Sequence, residues 1–121
     1  MHSTTVIVKQ TQNNFPIGTC ISRTNIDNED FVAYFVKNFN WAMFENELKW
    51  YWTVSQQRKL NYKDADNLLK LCDDDNIAAR GHCIFWDVDN TVQDWVKNLS
   101  KTDLATAVVS LLAIPTKIKT S

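Results

Sequence analysis

The 121-residue sequence predicts an α/β protein whose parallel sheet is covered by helices. Two observations point there. Short apolar runs of strand length, at 15–22, 40–44 and 77–86, alternate with segments whose apolar residues recur at helical spacing. Apolar residues make up 45% of the chain and charged residues 22%, an ordinary globular balance for one domain with one core.

Residues 1–14 are polar apart from "VIV" and read as a tail or a short edge strand. "FPIGTCIS" (15–22) follows as a short buried strand. In "NIDNEDFVAYFVKNF", Phe31, Tyr34, Phe35 and Phe39 fall on one helical face. Asn28 is placed to cap that helix, with two acids in its first turn. "NWAMF" (40–44) is the second strand. A second helix is capped by Asn61, shows Ala65, Leu68, Leu69 and Cys72 as its apolar stripe, and ends at "DDDN". "IAARGHCIFW" (77–86) reads as a third strand. Val92, Trp95, Val96 and Leu99 make a short helical stripe. Thr102 is expected to cap a last helix that Pro115 stops, and "TKIKTS" carries no signal. The order β-α-β-α-β-α suits either an open doubly wound sheet or part of a closed (β/α)8 barrel. With two glycines in all and no Gly-rich loop after the first strand, the nucleotide-binding versions of the open sheet are disfavoured.

Net charge is −1 with no basic block, which argues against nucleic acid as a partner. No apolar run approaches the ~18 residues of a membrane span. "MHSTTVIVKQTQNNFPIGTC" lacks the basic start and apolar stretch of an export signal. Cys20, Cys72 and Cys83 have neither disulfide-framework nor zinc spacing, and each lies in an apolar segment, so buried free thiols are expected. No metal or cofactor is expected. Five tryptophans suit either a large core or a surface on which sugar rings stack.

Ligands of parallel α/β folds sit at the carboxyl ends of the strands. There the sequence places "FENELKWYW" (44–52) and "RGHCIFW" (80–86). On an extended third strand His82, Ile84 and Trp86 share one face, with His82 and Trp86 about 13 Å apart at ~3.3 Å per residue. The plainer readings are a hydrogen-bonded core histidine, a core tryptophan, and a solvated turn in which Glu45, Glu47 and Lys49 form local ion pairs.

"FPIGTCISRTNIDNEDFVAYFVKNFNWAMFENELKWYWT", "LNYKDADNLLKLC" and "RGHCIFWDVDNTVQDWVKNLSKTDLATAV" together resemble glycoside hydrolase family 10, the endo-1,4-β-xylanases, with the plant branch closest in style. The motifs E-N-E-[LM]-K-W after strand two and R-G-H-x-[LIV]-x-W on strand three carry the resemblance, which covers roughly residues 6–112. It implies a (β/α)8 barrel of which this chain holds the first three βα units, with a three-stranded parallel sheet. Residues 15–112 would be the N-terminal part of the catalytic domain, and 113–121 a divergent tail.

The resemblance assigns Glu45, Asn46 and Lys49 to the hydroxyls of sugars on the glycone side of the cleft. It assigns His82 and Trp86 to sugars at and beyond the cleavage point. The residue after Trp86, often His in microbial members, is Asp87 here and receives no role. Trp50, Tyr51 and Trp52 read mainly as packing residues. The family's acid/base and nucleophile glutamates stand at the ends of strands four and seven, beyond the third unit. Glu45 and Glu47, one residue apart on an extended segment, would point the same way and could not straddle a scissile bond.

The expected partner is therefore xylan or xylo-oligosaccharides, and the chain alone is expected to be inactive. Open edges on strands one and three favour self-association. The alternative is a non-catalytic carbohydrate-binding or protein-interaction module. A place outside the cell or in the cell wall follows from the resemblance alone.

Overall fold

The computed structural model describes residues 15–111 and 119–120. Strands β1 (Gly18–Ile21), β2 (Trp41–Phe44) and β3 (Ala78–Gly81) form the expected parallel sheet. A two-residue β4 (Lys119–Thr120) adds to β3, also in parallel, giving the order β1-β2-β3-β4. The outer edge of β3 is thus occupied, contrary to expectation, whereas β1 has no outer partner among the described residues. The expected N-terminal tail (1–14) and the stop at Pro115 lie outside the described residues.

Between β1 and β2 runs α1 (Glu29–Asn38). As expected, Asn28 caps it: its side-chain oxygen accepts from the backbone N–H groups of Asp30 at 3.0 Å and Phe31 at 3.1 Å. Phe35 of its stripe is fully buried, Phe31 and Phe39 are half-buried, and Tyr34 stays exposed while meeting Phe39 edge-on.

After β2 a short helix α2 (Trp50–Thr53) precedes α3 (Lys63–Asp74). Asn61 sits one residue further out than a standard cap, and its Oδ1 takes the first helical N–H, that of Lys63, at 3.0 Å. Ala65, Leu68, Leu69 and Cys72 are all buried, as the stripe predicts. The helix runs on into "DDDN" and closes with Asn76 in the left-handed region, φ 55°. There Ile77 N–H reaches Cys72 O at 2.8 Å and Asn76 N–H reaches Asp73 O at 3.3 Å, the paired bonds of a Schellman stop.

Beyond β3 come α4 (Asp94–Lys97) and α5 (Lys101–Leu111). The cap of α5 is Ser100, not Thr102. Its Oγ accepts from Asp103 N–H at 3.1 Å and pairs with Asp103 Oδ2 at 2.9 Å. The stripe expected over 92–99 shrinks to the four-residue α4, in which Val96 is buried.

The sheet has two unlike faces. Ile21, Ala42, Phe44 and Ala79 point to the helices and join Phe35, Leu68, Leu69, Cys72 and Ile77 in one core. Gly18, Cys20 and Arg80 point the other way and are exposed, with Trp41 and Met43 half-buried beside them. Strand β1 is accordingly less buried than its apolar sequence predicts. Of the three thiols Cys72 is buried, Cys83 intermediate and Cys20 exposed, so the expectation of three buried cysteines holds for Cys72 alone.

Two expected results follow from this packing. A methyl group on Gly18 would lie 2.7 Å from the carbonyl oxygen of Trp41, its partner in register. Backbone cannot swing aside, so Gly18→Ala should cost about 1–3 kcal/mol, read as a shift in urea midpoint. Burial, followed by the charges of Asp73 and Asp75, raises the Cys72 thiol from an ordinary 9.0 to about 12. Above pH 9 the unfolded thiol ionises while the folded one stays neutral. The unfolded state then binds fewer protons, and stability falls as pH rises from about 9 towards 12. Burial also raises the phenols of Tyr62 and Tyr51, which act in the same direction. Urea midpoints should fall between pH 8 and pH 10.5, and Cys72→Ala should flatten that slope.

Candidate functional site

Strands β2 and β3 run in parallel with Met43 opposite Arg80. The chain therefore leaves the sheet side by side at Glu45 and His82, on the carboxyl rim where ligands of such folds bind. After Phe44 the backbone does not continue as a strand but turns through 45–49. Glu45 N–H donates to Ile21 O at 3.0 Å, which joins this turn to the end of β1.

The turn sorts the polar residues of "ENELK". Glu45 is exposed and Asn46 half-buried, whereas Glu47 and Lys49 are only 1% and 7% exposed. Glu45 and Glu47 thus do not point the same way, because the segment is not extended. Glu47 turns inward, where its Oε1 accepts Arg23 N–H at 2.7 Å and its Oε2 accepts Asn46 N–H at 2.9 Å. A solvated turn with local ion pairs is excluded for Glu47 and Lys49 by their burial. The two carboxylates still do not form a hydrolytic pair, now because both oxygens of Glu47 are committed to backbone amides.

Asn46 is the junction. Its Oδ1 accepts from Lys49 Nζ at 3.0 Å and from Tyr51 hydroxyl at 2.8 Å. Lys49 Nζ in turn lies 4.1 Å from the ring centroid of Trp86, a cation–π contact. Tyr51 ionises above its ordinary value, chiefly through burial and then through the charges of Glu47, Cys83 and Glu45. Tyr51, read from the sequence as packing, is a member of this group. The tight turn that carries it back over Asn46 contains neither glycine nor proline to announce it.

The third strand is shorter than expected. It ends at Gly81, so residues 82–86 form a loop and the shared strand face of His82, Ile84 and Trp86 does not exist. The loop is held by Trp50, whose N–H donates to Ile84 O at 3.0 Å and whose ring meets Phe85 and Trp95 edge-on at 5.2 and 5.9 Å. This fold-back carries Trp86, still 44% exposed, to Lys49. His82 is half-buried at the start of the loop. Trp52 is half-buried, with its Nε1–H donating to Asp64 Oδ2 at 3.0 Å. Of the five expected site residues, Asn46, Lys49 and Trp86 are joined by direct contacts, and Glu45 and His82 flank them on the same rim. Among the described residues no group of three His, Cys, Asp or Glu is placed to hold a metal, and no helix is long and apolar enough to cross a membrane.

A parallel α/β scaffold with hydrogen-bonding and aromatic side chains gathered beyond its strand ends is what part of a (β/α)8 barrel presents at its carboxyl rim. Residues 7–114 match the profile of Glycosyl hydrolase family 10, and the chain belongs to that family. It is 64% identical over 107 residues to endo-1,4-beta-xylanase 1 of Arabidopsis thaliana, covering 88% of this chain and 11% of that protein. To endo-1,4-beta-xylanase 3 of the same plant it is 65% identical over 103 residues, covering 85% and 14%. The chain therefore spans a small part of the length of these relatives. Among solved structures, xylanase 10B from Thermotoga petrophila in complex with xylobiose superposes with a TM-score of 0.75 at 17% identity, covering 93% of this chain and 35% of that one. Xylanase10C from Cellvibrio japonicus in complex with xylopentaose superposes with a TM-score of 0.71 at 25% identity, covering 80% and 21%. The chain has the fold of part of a (β/α)8 barrel.

Proposed function

We propose that this chain supplies part of the glycone-side sugar-binding wall of a retaining endo-1,4-β-xylanase, with Glu45, Asn46 and Lys49 gripping xylose hydroxyls and His82 and Trp86 meeting the sugars at and beyond the cleavage point. The observation that carries the reading is the convergence of Asn46, Lys49, Tyr51 and Trp86 on the rim between β2 and β3. An amide, an ammonium and a phenol beside an indole face match a ring with equatorial hydroxyls on its edge and C–H groups on its faces. Residues 15–112 are then the N-terminal part of that enzyme's catalytic domain, acting outside the cell or in the cell wall.

The family mechanism takes two carboxylates that flank the scissile bond. Within these 121 residues the glutamates of the motif are committed elsewhere, Glu45 to the rim and Glu47 to two backbone amides. The chain by itself binds sugar and does not cleave it. Incubated with soluble xylan it should release no reducing ends above a Glu45→Gln, Glu47→Gln control, and turnover above that control would overturn the inactivity. Xylohexaose should change its tryptophan fluorescence, and silence at millimolar ligand would remove the sugar-binding reading.

The second reading, a protein-interaction module, is favoured by the open sheet face of Gly18, Cys20 and Arg80 and by the outer edge of β1, which no strand among the described residues pairs. A second copy adding to that edge would double the mass in sedimentation. Ile17 and Ile21 bond to β2 through their carbonyls, so the alternate residue Cys20 turns its N–H to the outer edge, and Cys20→Pro should reverse the doubling.

A further inference from the structure

We infer that Glu47 is a positioning residue that sets the sugar-binding constellation without touching sugar itself. The inference rests on the sugar-binding reading of Asn46 and Lys49.

Glu47 is 1% exposed, and its carboxylate spans two loops that are distant in sequence. Oε1 takes the N–H of Arg23, just after β1, and Oε2 takes the N–H of Asn46, just after β2. Both bonds are charge-assisted, at 2.7 and 2.9 Å, and both acceptors sit on one rigid planar group. The distance between the two loops is therefore set by the width of a carboxylate. Arg23 is itself fixed from its other end, where its guanidinium pairs with Asp27 and its Nε lies 3.5 Å from Asp64 Oδ1. Asp64 closes the circuit by accepting from Trp52 Nε1 at 3.0 Å, on the segment that follows Lys49.

From Asn46 the order passes outward. The same residue whose backbone is pinned by Glu47 presents Oδ1 to Lys49 Nζ and Tyr51 hydroxyl, and Lys49 then rests over Trp86. One buried carboxylate thus fixes where a lysine and an indole meet on the rim. A carboxamide keeps the shape but offers one acceptor and one donor. It must leave one of the two amides facing an N–H group, so among the described residues only the backbone bond from Glu45 to Ile21 still ties the two loops directly together.

The test compares the full chain with Glu47→Gln by two readings. The first is the NMR shift of the Lys49 side-chain methylenes, which the Trp86 ring current moves upfield while the ammonium sits over the ring. The second is xylohexaose affinity by fluorescence titration. Glu47→Gln should collapse the ring-current shift and weaken xylohexaose roughly tenfold, the consequence of one lost charge-assisted bond. Ile77→Val, a core change remote from the rim, should lower the thermal midpoint and leave both readings alone. If Glu47→Gln lowers the midpoint while the Lys49 shift stays as in the parent, the inference is overturned and Glu47 only stabilises the fold. If the parent chain itself ignores xylohexaose, the sugar-binding reading fails, and the Lys49 shift alone decides whether Glu47 positions the rim. Should Glu47→Gln not fold, Glu47→Asp keeps the charge with a shorter reach and is read in the same two ways.

Discussion

Phe35→Ala should cost about 3–5 kcal/mol, a large fraction of the roughly 5–15 kcal/mol by which a small domain is stable. Phe35 has no exposed surface, and its ring lies between Phe31 and Phe39 with centroids 6.2 Å away on either side. It is the residue through which α1 fills the core behind β1 and β2. Truncation leaves a cavity beside its aromatic neighbours in the core that also holds Ile21, Ala42 and Phe44, and strands anchored by register cannot collapse into it. Tyr34→Ala is the matched control, because Tyr34 occupies the same helix at 52% exposure. It should move the urea midpoint by a small fraction of the Phe35→Ala shift. Equal shifts for the two variants would mean that α1 does not pack as described.

Lys49→Met should weaken xylohexaose about 10- to 100-fold, the span set by ~1.5–3 kcal/mol for a hydrogen bond to a charged group. The substitution keeps a stem of similar length in a site that is 7% exposed and removes the ammonium that binds Asn46 Oδ1 and covers Trp86. Asn46 Oδ1 retains the Tyr51 hydroxyl, so no buried acceptor is orphaned. Stability should therefore change by less than about 1 kcal/mol. Isothermal titration against thermal unfolding separates the two. A fall in midpoint with unchanged affinity would place Lys49 in the packing and outside the sugar contacts.

Most of the architecture was legible because its signals are local. The Phe31–Phe39 spacing, the Asn28 cap and the Ala65–Cys72 stripe each arise within one turn or two of helix, and each is found as expected. The rim was legible through its motifs, which name Asn46, Lys49 and Trp86, but not through its geometry. Residues 82–86 carry enough apolar and β-branched character to read as strand. They leave the sheet because Trp50 captures Ile84 and Phe85 from a distance of more than thirty residues in sequence, a tertiary contact no local pattern reports. The inward turn of Glu47 escaped for a similar reason. Its partners are backbone amides, one of them at Arg23, and a backbone donor leaves no mark in the sequence. The exposed Cys20 misleads in the opposite sense: alternation along β1 sets it on the face away from the helices, where an apolar neighbourhood in sequence says nothing about cover.

Strand β4 runs parallel to β3 with Thr120 opposite Gly81, the residue immediately before His82. Polypeptide continuing past Thr120 accordingly departs on the same side as the loop bearing Trp86. A reporter domain or purification handle joined there by a short, stiff connector would crowd the rim around Lys49 and Trp86, whereas a long flexible one would leave that rim open to solvent.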